Sequence, residues 1–162
     1  ERWESLGVQV RPYSRGEKVI LCGQVPWDSA VEMHDHKAWL IETAQKLKAM
    51  TTRPIVFRPH PHVPLAPMEG LEYSTAPLSE DLKTAHCVVT FNSNSAVEAA
   101  IAGKAVFAFD EGSMVWPLAN KNLADLEDPN YANRLQWSRD LAYTQWTPTE
   151  LREGEAWRHL SR

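Results

Sequence analysis

Short apolar runs alternate along the chain with amphipathic segments, and this alternation predicts a parallel α/β sheet. Four runs are apolar on both faces, as is typical of strands covered by helices on each side; they are 18–23, 54–58, 87–91 and 104–109. A shorter strand is predicted near 71–73. Apolar residues at helical spacing predict helices over 36–50, 79–85 and 93–102. Strands and helices in this order indicate a doubly wound fold.

The predicted domain organisation is a single Rossmann-like domain in which helices flank the parallel sheet. This domain covers 18–128 and follows an extended lead-in over 1–17. A helical C-terminal extension over 129–162 is predicted to pack on the same domain. Within it, one helix is expected around 131–143, and a last helix is expected to run from Thr147 to about 160.

Several residues have the chemistry of helix ends. Thr147, Pro148 and Glu150 have the spacing of a capping box with proline in the first turn. Other N-caps are predicted at Ser79 and at Ser93 or Asn94, since short polar side chains can accept a bond from a free backbone N–H. Glycine tolerates the backbone conformation that ends many helices, so the helix before Gly103 is expected to end there.

Composition limits the class of protein. The 162 residues are 43% hydrophobic and 23% charged, which suits one globular domain. The net charge of -4 disfavours a protein that binds nucleic acid through a basic field. Cys22 and Cys87 lie in predicted strands, which indicates buried free thiols in a reducing compartment.

The sequence also bears on location. It contains no apolar run of the roughly 20 residues that span a bilayer, and no recognisable signal peptide. With the free thiols, this predicts a cytoplasmic protein. The chain starts with Glu1 rather than methionine, which indicates a fragment or a processed chain.

Polar residues follow each of the four main predicted strands. Open parallel sheets bind ligands at the carboxyl ends of their strands, so these residues are the candidate site. The four sets are Gly23 and Gln24; Arg58, Pro59, His60, Pro61 and His62; Asn92, Ser93, Asn94 and Ser95; and Asp110, Glu111, Gly112 and Ser113.

The turn 92–95 between a strand and a helix has the chemistry of an anion site. The first N–H groups of the helix, its positive dipole end and the hydroxyls of Ser93 and Ser95 can all face a phosphate or diphosphate. The alternative is that Ser95 and Glu98 form an ordinary capping box, since any turn of this kind favours serine.

The segment around His60 is stiffened by two prolines. Pro59 and Pro61 restrict the backbone and remove two donors, so His60 is held in a fixed direction at the strand end. Arg58 adds a permanent charge, and the pair suits phosphate, ribose or base. The alternative is a rigid loop with solvated histidines.

The pairs His60/His62 and His34/His36 leave a metal-dependent hydrolase open as a minor hypothesis. A catalytic zinc needs a third ligand, and neither Asp110 nor His86 stands at a recognisable spacing, so no metal site is predicted. The sequence lacks the Gly-x-Gly-x-x-Gly, P-loop and Gly-x-Ser-x-Gly motifs, which argues against dinucleotide oxidoreductases, NTPases and α/β-hydrolases.

Two motifs together carry a family resemblance. Arg-Pro-His-Pro at 58–61 precedes Thr-Phe-Asn-Ser-Asn-Ser at 90–95, which continues into Ala-Val-Glu-Ala-Ala-Ile-Ala-Gly-Lys-Ala-Val-Phe at 96–107. This order resembles the C-terminal domain of GT-B glycosyltransferases, in particular capsule-polysaccharide (Kdo-transferase-like) enzymes and sialyltransferases with His-Pro and Ser-Ser/Thr motifs. The resemblance covers about 18–109. The segment 137–147 resembles sugar-transferase-like proteins of phages.

The resemblance implies roles for individual residues around a nucleotide-sugar donor. His60 would contact the nucleotide, Ser93, Asn94 and Ser95 the donor phosphate, and Glu98 the ribose. The remaining contacts to the donor phosphate would come from Arg58, Asn92, Gly23 and Gln24. Asp110 and Glu111 would reach the hydroxyl groups of the sugar. The family pattern has adjacent serines, whereas here Asn94 separates them.

The resemblance also implies an incomplete enzyme. The donor (a CMP-sugar, UDP-sugar or similar) is a co-substrate, and no resident cofactor is expected. GT-B enzymes place the acceptor site and usually the catalytic base in an N-terminal domain, so a missing segment or a partner chain would supply both. No residue here is predicted as the base. The acceptor could be polysaccharide, lipid, protein or modified DNA, and a non-catalytic α/β binding or assembly module is the alternative function.

Overall fold

The predicted strands form one parallel sheet in a computed structural model that describes residues 2–32 and 34–161. In chain order they are β1 (Lys18–Cys22), β2 (Ile55–Arg58), β3 (Glu72–Tyr73), β4 (Ala85–Thr90) and β5 (Ala105–Ala108). The strand order across the sheet is β3-β2-β1-β4-β5, and every neighbouring pair is parallel. The predicted α/β architecture is confirmed.

The helices are named in chain order. They are α1 (Arg2–Ser5), α2 (His36–Met50), α3 (Leu78–Thr84), α4 (Ser95–Ile101), a 3-10 turn (Leu123–Asp125), α5 (Leu135–Ala142), α6 (Pro148–Arg152) and α7 (Glu155–Leu160). None of the helices that the structure describes is long and apolar enough to cross a membrane. The chain divides into two compact units, Val10–Ala132 with the sheet, and Glu1–Gln9 with Asn133–Arg162.

β1 is the central strand and sets the position of the site. Leu21 pairs with Phe57 of β2 on one side and with Val89 of β4 on the other. The chain therefore builds the sheet outward from β1 in one direction, then returns to β1 and builds the other half. The switch point of the topology lies between β1 and β4, and ligands of such folds bind at the carboxyl ends of the strands there.

The core explains why the strands read as continuous apolar runs. All six residues of β4 and all four of β5 are buried, as are the last four residues of β1. Leu40 and Leu47 of α2 are fully buried in the same cluster as Phe57 and Phe107. A sheet covered on both faces favours apolar side chains at successive positions and not only at alternate ones, and in β4 His86 and Thr90 are the polar exceptions.

The predicted N-cap at Ser79 is wrong, whereas Asn94, one of the two residues predicted for α4, stands at the N-cap of that helix. α3 begins at Leu78 after Pro77, so Ser79 lies inside the helix, and no side chain caps it. α4 begins at Ser95, and the side chain of Asn94 at the N-cap makes no capping bond. The capping box of Ser95 and Glu98 does not form either, because Ser95 is the first residue of the helix and not its N-cap. The Ser95 hydroxyl instead donates to Ser93 Oγ at 3.0 Å.

Gly103 ends α4 in the left-handed conformation, with φ +80, as predicted. Its missing side chain also makes room for a neighbouring segment. A Cβ at this position would lie 2.1 Å from the carbonyl oxygen of Pro12. The segment around Pro12 is held here by bonds from Arg11 N to Ile101 O at 2.8 Å and from Ser14 N to Gly103 O at 2.9 Å.

In the smaller unit the predicted capping box is confirmed, but the predicted last helix is divided into α6 and α7. The Thr147 N–H donates to Glu150 Oε2 at 2.7 Å, and the Glu150 N–H donates to Thr147 Oγ1 at 3.2 Å. Gly154, with φ +74, then separates α6 from α7. The lead-in, expected to be extended, contains α1, where Arg2 forms an ion pair with Glu150. That contact depends on residues distant in sequence, so no local pattern predicts it.

Candidate functional site

Two adjoining clefts open at the carboxyl ends of β1, β2 and β4. The serine cleft, of about 250 Å³, is lined by Cys22, Gly23, Arg58, Pro59, His60, Pro61, Leu78, Ser93, Asn94, Ser95 and Glu98. The glutamine cleft, of about 220 Å³, is lined by Gln24, Val25, Asp28, Ala30, His60, Asn92, Ser93 and Asn94. The structure thus brings together the polar residues predicted after three of the four main strands.

The turn formed by Ser93, Asn94 and Ser95, here called the serine turn, lies between the two clefts. Ser93 Oγ accepts bonds from the Ser95 N–H at 3.2 Å and from the Ser95 hydroxyl at 3.0 Å. No described residue accepts a hydrogen bond from the Ser93 hydroxyl, so its proton can be donated to a ligand. α4 has only seven residues, so the dipole of this helix adds less than a longer helix would.

Glu98 lies one turn into α4 and lines the serine cleft. Its carboxylate makes no hydrogen bond or ion pair to any residue that the structure describes. Because the predicted capping box is absent, this carboxylate has both oxygens available as acceptors. Hydroxyl groups are the donors that a free carboxylate recognises most directly in a ligand.

His60 lines both clefts, and its neighbours fix its tautomer. The His62 N–H donates to His60 Nδ1 at 3.2 Å, so Nδ1 is an acceptor and Nε2 carries the proton. Nε2 makes no hydrogen bond to a described residue. His60 therefore presents an N–H donor at the junction of the clefts.

Arg58 lines the serine cleft, but its charge has a protein partner. Nη1 donates to Asp81 Oδ2 at 2.8 Å and to the carbonyl oxygen of Ala76, and both side chains of the ion pair are 13% exposed. Ser74 Oγ donates to the same carboxylate at 2.8 Å. Asp81 was not predicted from the sequence, and it leaves Arg58 with less charge for a phosphate.

Amide groups tie the ends of β1, β4 and β5 together beside the glutamine cleft. Gln24 Nε2 donates to Asn92 Oδ1 at 2.6 Å, and the Asn92 N–H donates to Gln24 Oε1 at 2.9 Å. Asn92 Nδ2 donates in turn to Asp110 Oδ2 at 2.9 Å. These bonds hold the strand ends in place and occupy much of the hydrogen-bonding capacity of the three side chains. Neither Asp110 nor Glu111 lines the two clefts.

His36 is buried behind this network and bonds to the backbone of Gln24. The sequence did not predict this contact. Its Nε2 accepts from the Gln24 N–H at 2.9 Å, and its ring stacks on Trp39 with centroids 5.7 Å apart. The ring is 1% exposed, and Nδ1 has no hydrogen-bond partner among the described residues. Burial lowers the pKa of His36, so the ring is neutral at pH 7.

The depressed pKa of His36 predicts acid sensitivity. The unfolded chain takes up this proton near the ordinary value of 6.5, whereas the folded chain takes it up only at lower pH. Stability is therefore present above about pH 6.5 and is lost as pH falls from there to the depressed pKa, by about 1.4 kcal/mol for each pH unit between the two pKa values. We expect His36→Gln, which keeps an acceptor for the Gln24 N–H, to flatten this loss.

Urea unfolding at pH 5, 6 and 7 would measure how the free energy of unfolding changes with pH in the parent chain and in His36→Gln. His62→Gln is the matched control, because His62 is exposed and its bond to His60 uses the backbone N–H. The control should keep the pH dependence of the parent chain. Parallel pH profiles for the parent and His36→Gln would contradict the assignment.

Neither cysteine is suited to be a nucleophile. Both are buried free thiols, as predicted, and Cys22 forms part of the wall of the serine cleft. Burial raises the pKa of Cys22 to about 11, although a hydrogen bond with Ser95 lowers it in part. Burial raises the pKa of Cys87 further. Both groups are therefore thiols near neutral pH, and the thiolate is the nucleophilic form.

Neither histidine pair has a third potential metal ligand among the described residues. The rings of His60 and His62 have centroids 5.4 Å apart. Within the described ranges, no group of three or more His, Cys, Asp or Glu side chains could hold a metal ion. His36 meanwhile uses Nε2 as the acceptor for Gln24. The structure therefore offers no support for the His-x-His hydrolase hypothesis.

The parallel sheet and its strand-end clefts define a Rossmann-like α/β domain. Two similar solved structures come from Thermosulfurimonas dismutans KpsC, a beta Kdo 2,4 transferase (17% identity, TM-score 0.55) and a beta Kdo 2,7 transferase (19% identity, TM-score 0.50). The matches cover 82% of this chain in both cases, but 48% and 55% of those chains. The chain thus spans about half the length of these structures.

At such identities the similarity establishes the fold. No family model matches the chain. No curated protein matches it either.

Proposed function

We propose that this chain binds a nucleotide-sugar donor as the C-terminal half of a glycosyltransferase. One observation carries the proposal: His60, which follows β2, and the Ser93–Ser95 turn with Glu98 of α4 converge on one cleft at the switch point of a glycosyltransferase-like fold. Their available groups are an imidazole N–H, a hydroxyl and a carboxylate, which suit phosphate oxygens and sugar hydroxyls.

The donor would occupy both clefts. Each cleft alone is smaller than the roughly 300 Å³ at which ligand pockets usually begin, and they adjoin at His60, Ser93 and Asn94. In this proposal the His60 N–H and the Ser93 hydroxyl bind the phosphate, and Glu98 accepts from the ribose hydroxyls. The Gln24–Asn92–Asp110 network positions the turn and does not bind the donor directly.

The proposed reaction needs groups that the described residues do not supply. Breaking the bond between sugar and nucleotide leaves negative charge on the phosphate, which enzymes stabilise with oriented donors or cations. Here the serine cleft offers donors, whereas the charge of Arg58 is shared with Asp81. We therefore propose that a second domain or a partner chain provides the acceptor site, the base and further positive charge.

We also propose a glycan acceptor, as in polysaccharide biosynthesis. The supporting observation is the fold similarity to Kdo transferases. The resemblance of 137–147 to sugar-transferase-like phage proteins suggests that the enzyme belongs to a phage. Incubation of the complete protein with radiolabelled CMP-Kdo and purified capsule oligosaccharide would test the acceptor class directly, with labelled product expected only in the presence of oligosaccharide.

Donor binding can be tested with this chain alone. CMP, UDP and GDP are added separately, and thermal unfolding is followed by fluorescence. We expect one of them to raise the Tm, since a ligand at 100 times its Kd stabilises by about 2.7 kcal/mol. Ser93→Ala and His60→Ala should each remove most of the increase, because each deletes one donor to the phosphate.

The neighbouring histidine provides the matched control. His62→Ala keeps the backbone N–H that donates to His60, and His62 lines neither cleft. Its Tm increase should equal that of the parent chain. If none of the three nucleotides changed the Tm, the proposal would be contradicted, and a non-catalytic binding or assembly module would be favoured.

A further inference from the structure

The largest cavity among those described in the sheet unit lies away from the strand ends, between α3 and α4. It has a volume of about 650 Å³, within the usual range for a small-molecule site. Leu82 of α3 and Ile101 of α4 give it apolar walls, and Lys104 and Ser14 give it a polar end. We call it the lysine cavity. The proposed donor site does not use it.

Lys104 is the unusual feature of this cavity. It is 6% exposed, and its ammonium donates to Ser14 Oγ at 2.9 Å. No carboxylate of the described residues lies within ion-pair distance of it. A buried ammonium has three donors and favours an anionic partner, because burial without one is costly. Burial accordingly lowers the pKa of Lys104.

The other charges around the cavity have the same sign as Lys104, with one exception. Arg11 and Lys83 also line it, and Lys83 forms an exposed ion pair with Glu80. Glu98 is the single acidic residue in the lining. The cavity therefore places the ammonium of Lys104 beside apolar walls, which suits a ligand that has an anionic group on an apolar body.

We propose that the lysine cavity binds a small carboxylate or phosphate monoester with an apolar body. The anionic group bonds to the ammonium of Lys104 and the hydroxyl of Ser14. The apolar body packs on Leu82 and Ile101. This site is separate from the strand-end clefts, although Glu98 of α4 lines both the lysine cavity and the serine cleft.

The fluorescent anion 1-anilinonaphthalene-8-sulfonate is a suitable probe, since it joins a sulfonate to an apolar ring system. We expect saturable binding to the folded chain and about tenfold weaker binding to Lys104→Met, the loss expected for one charge-assisted hydrogen bond. Lys83→Met is the matched control. It removes a cation from the same lining, but one that is exposed and paired, so its affinity should change less than about twofold.

Competition identifies the chemistry of the ligand. Hexanoate or hexyl phosphate should displace the probe, whichever head group the site prefers, whereas hexan-1-ol and inorganic phosphate at equal concentration should not. Displacement by hexan-1-ol would show that the charge is irrelevant and would overturn the proposal. Displacement by inorganic phosphate alone would overturn it as well, because the apolar walls would then contribute nothing.

A second variant covers the case in which Lys104→Met does not fold. Ala102 lines the cavity at the end of α4 and is partly exposed, so Ala102→Glu adds a competing carboxylate with little effect on packing. Circular dichroism and thermal unfolding establish that each variant is folded. Probe affinity equal to that of the parent chain in a folded Lys104→Met, or in Ala102→Glu, would overturn the proposal.

Discussion

Asp81→Ala will lower the free energy of unfolding by about 2–3 kcal/mol, because it leaves the charge of Arg58 without a partner in a nearly buried position. Both side chains of the pair are only 13% exposed. The variant also removes the acceptor for the Ser74 hydroxyl, which bonds to Asp81 at 2.8 Å. Urea unfolding monitored by tryptophan fluorescence would give the change.

Glu80→Ala is the matched control for this prediction. Glu80 and Asp81 both lie in the first turn of α3, so both variants lose the same kind of interaction with the helix dipole. Both also gain helix propensity, Asp81→Ala by a few tenths of a kcal/mol more than Glu80→Ala. Among the residues that the structure describes, Glu80 forms an ion pair with Lys83 alone, and both side chains of that pair are more than half exposed. We expect a change within about 0.5 kcal/mol. Equal losses in the two variants would show that the Arg58 pair contributes little.

The second large effect is expected from Gly103→Ala. At φ +80 an alanine is strained by about 1 kcal/mol, and its Cβ would lie 2.1 Å from the Pro12 carbonyl oxygen. Since that neighbour is backbone, the segment must move, which disrupts the bonds of Arg11 and Ser14 to the end of α4. We expect a total loss of roughly 3 kcal/mol, or about 10 °C in Tm.

Gly70→Ala separates conformational strain from the steric clash. Gly70 has a similar backbone angle, φ +78, but its added Cβ would meet the flexible end of Lys48. This variant should therefore lose only about 1 kcal/mol, the cost of the angle itself. Scanning calorimetry of both variants would measure the difference. Equal losses of stability in the two variants would mean that the segment near Pro12 can move without lowering the free energy of unfolding.

The sequence predicted those parts of the fold that local patterns determine. Val88 and Val89 stand in the run 87–91, which is apolar except for Thr90, and such a run fits a strand covered on both faces. Thr147 and Glu150 lie three residues apart, so their capping box is a local signal. The break between α6 and α7 at Gly154 was missed, because a single glycine is also tolerated inside a helix at a cost of about 1 kcal/mol.

The sequence predicted where the candidate site lies better than it predicted what each side chain does there. The strand-end rule brought His60 and Ser93 together correctly. It could not show that Asp81 pairs with Arg58 or that His36 bonds to Gln24, because these contacts depend on how α3 and α2 pack. Lys104 likewise follows Gly103 at the start of a strand, and no sequence pattern distinguishes its buried ammonium from an exposed one.

The central position of β1 has a consequence for how the chain folds. Val19 must find Ile55 of β2 and, much later in the chain, Cys87 of β4. No neighbouring strands are joined by a hairpin, so every pairing closes a long loop, and such topologies fold slowly. During synthesis β1 emerges first but waits for β4. The clefts at the ends of these strands therefore cannot form until α4, which carries Glu98, has left the ribosome.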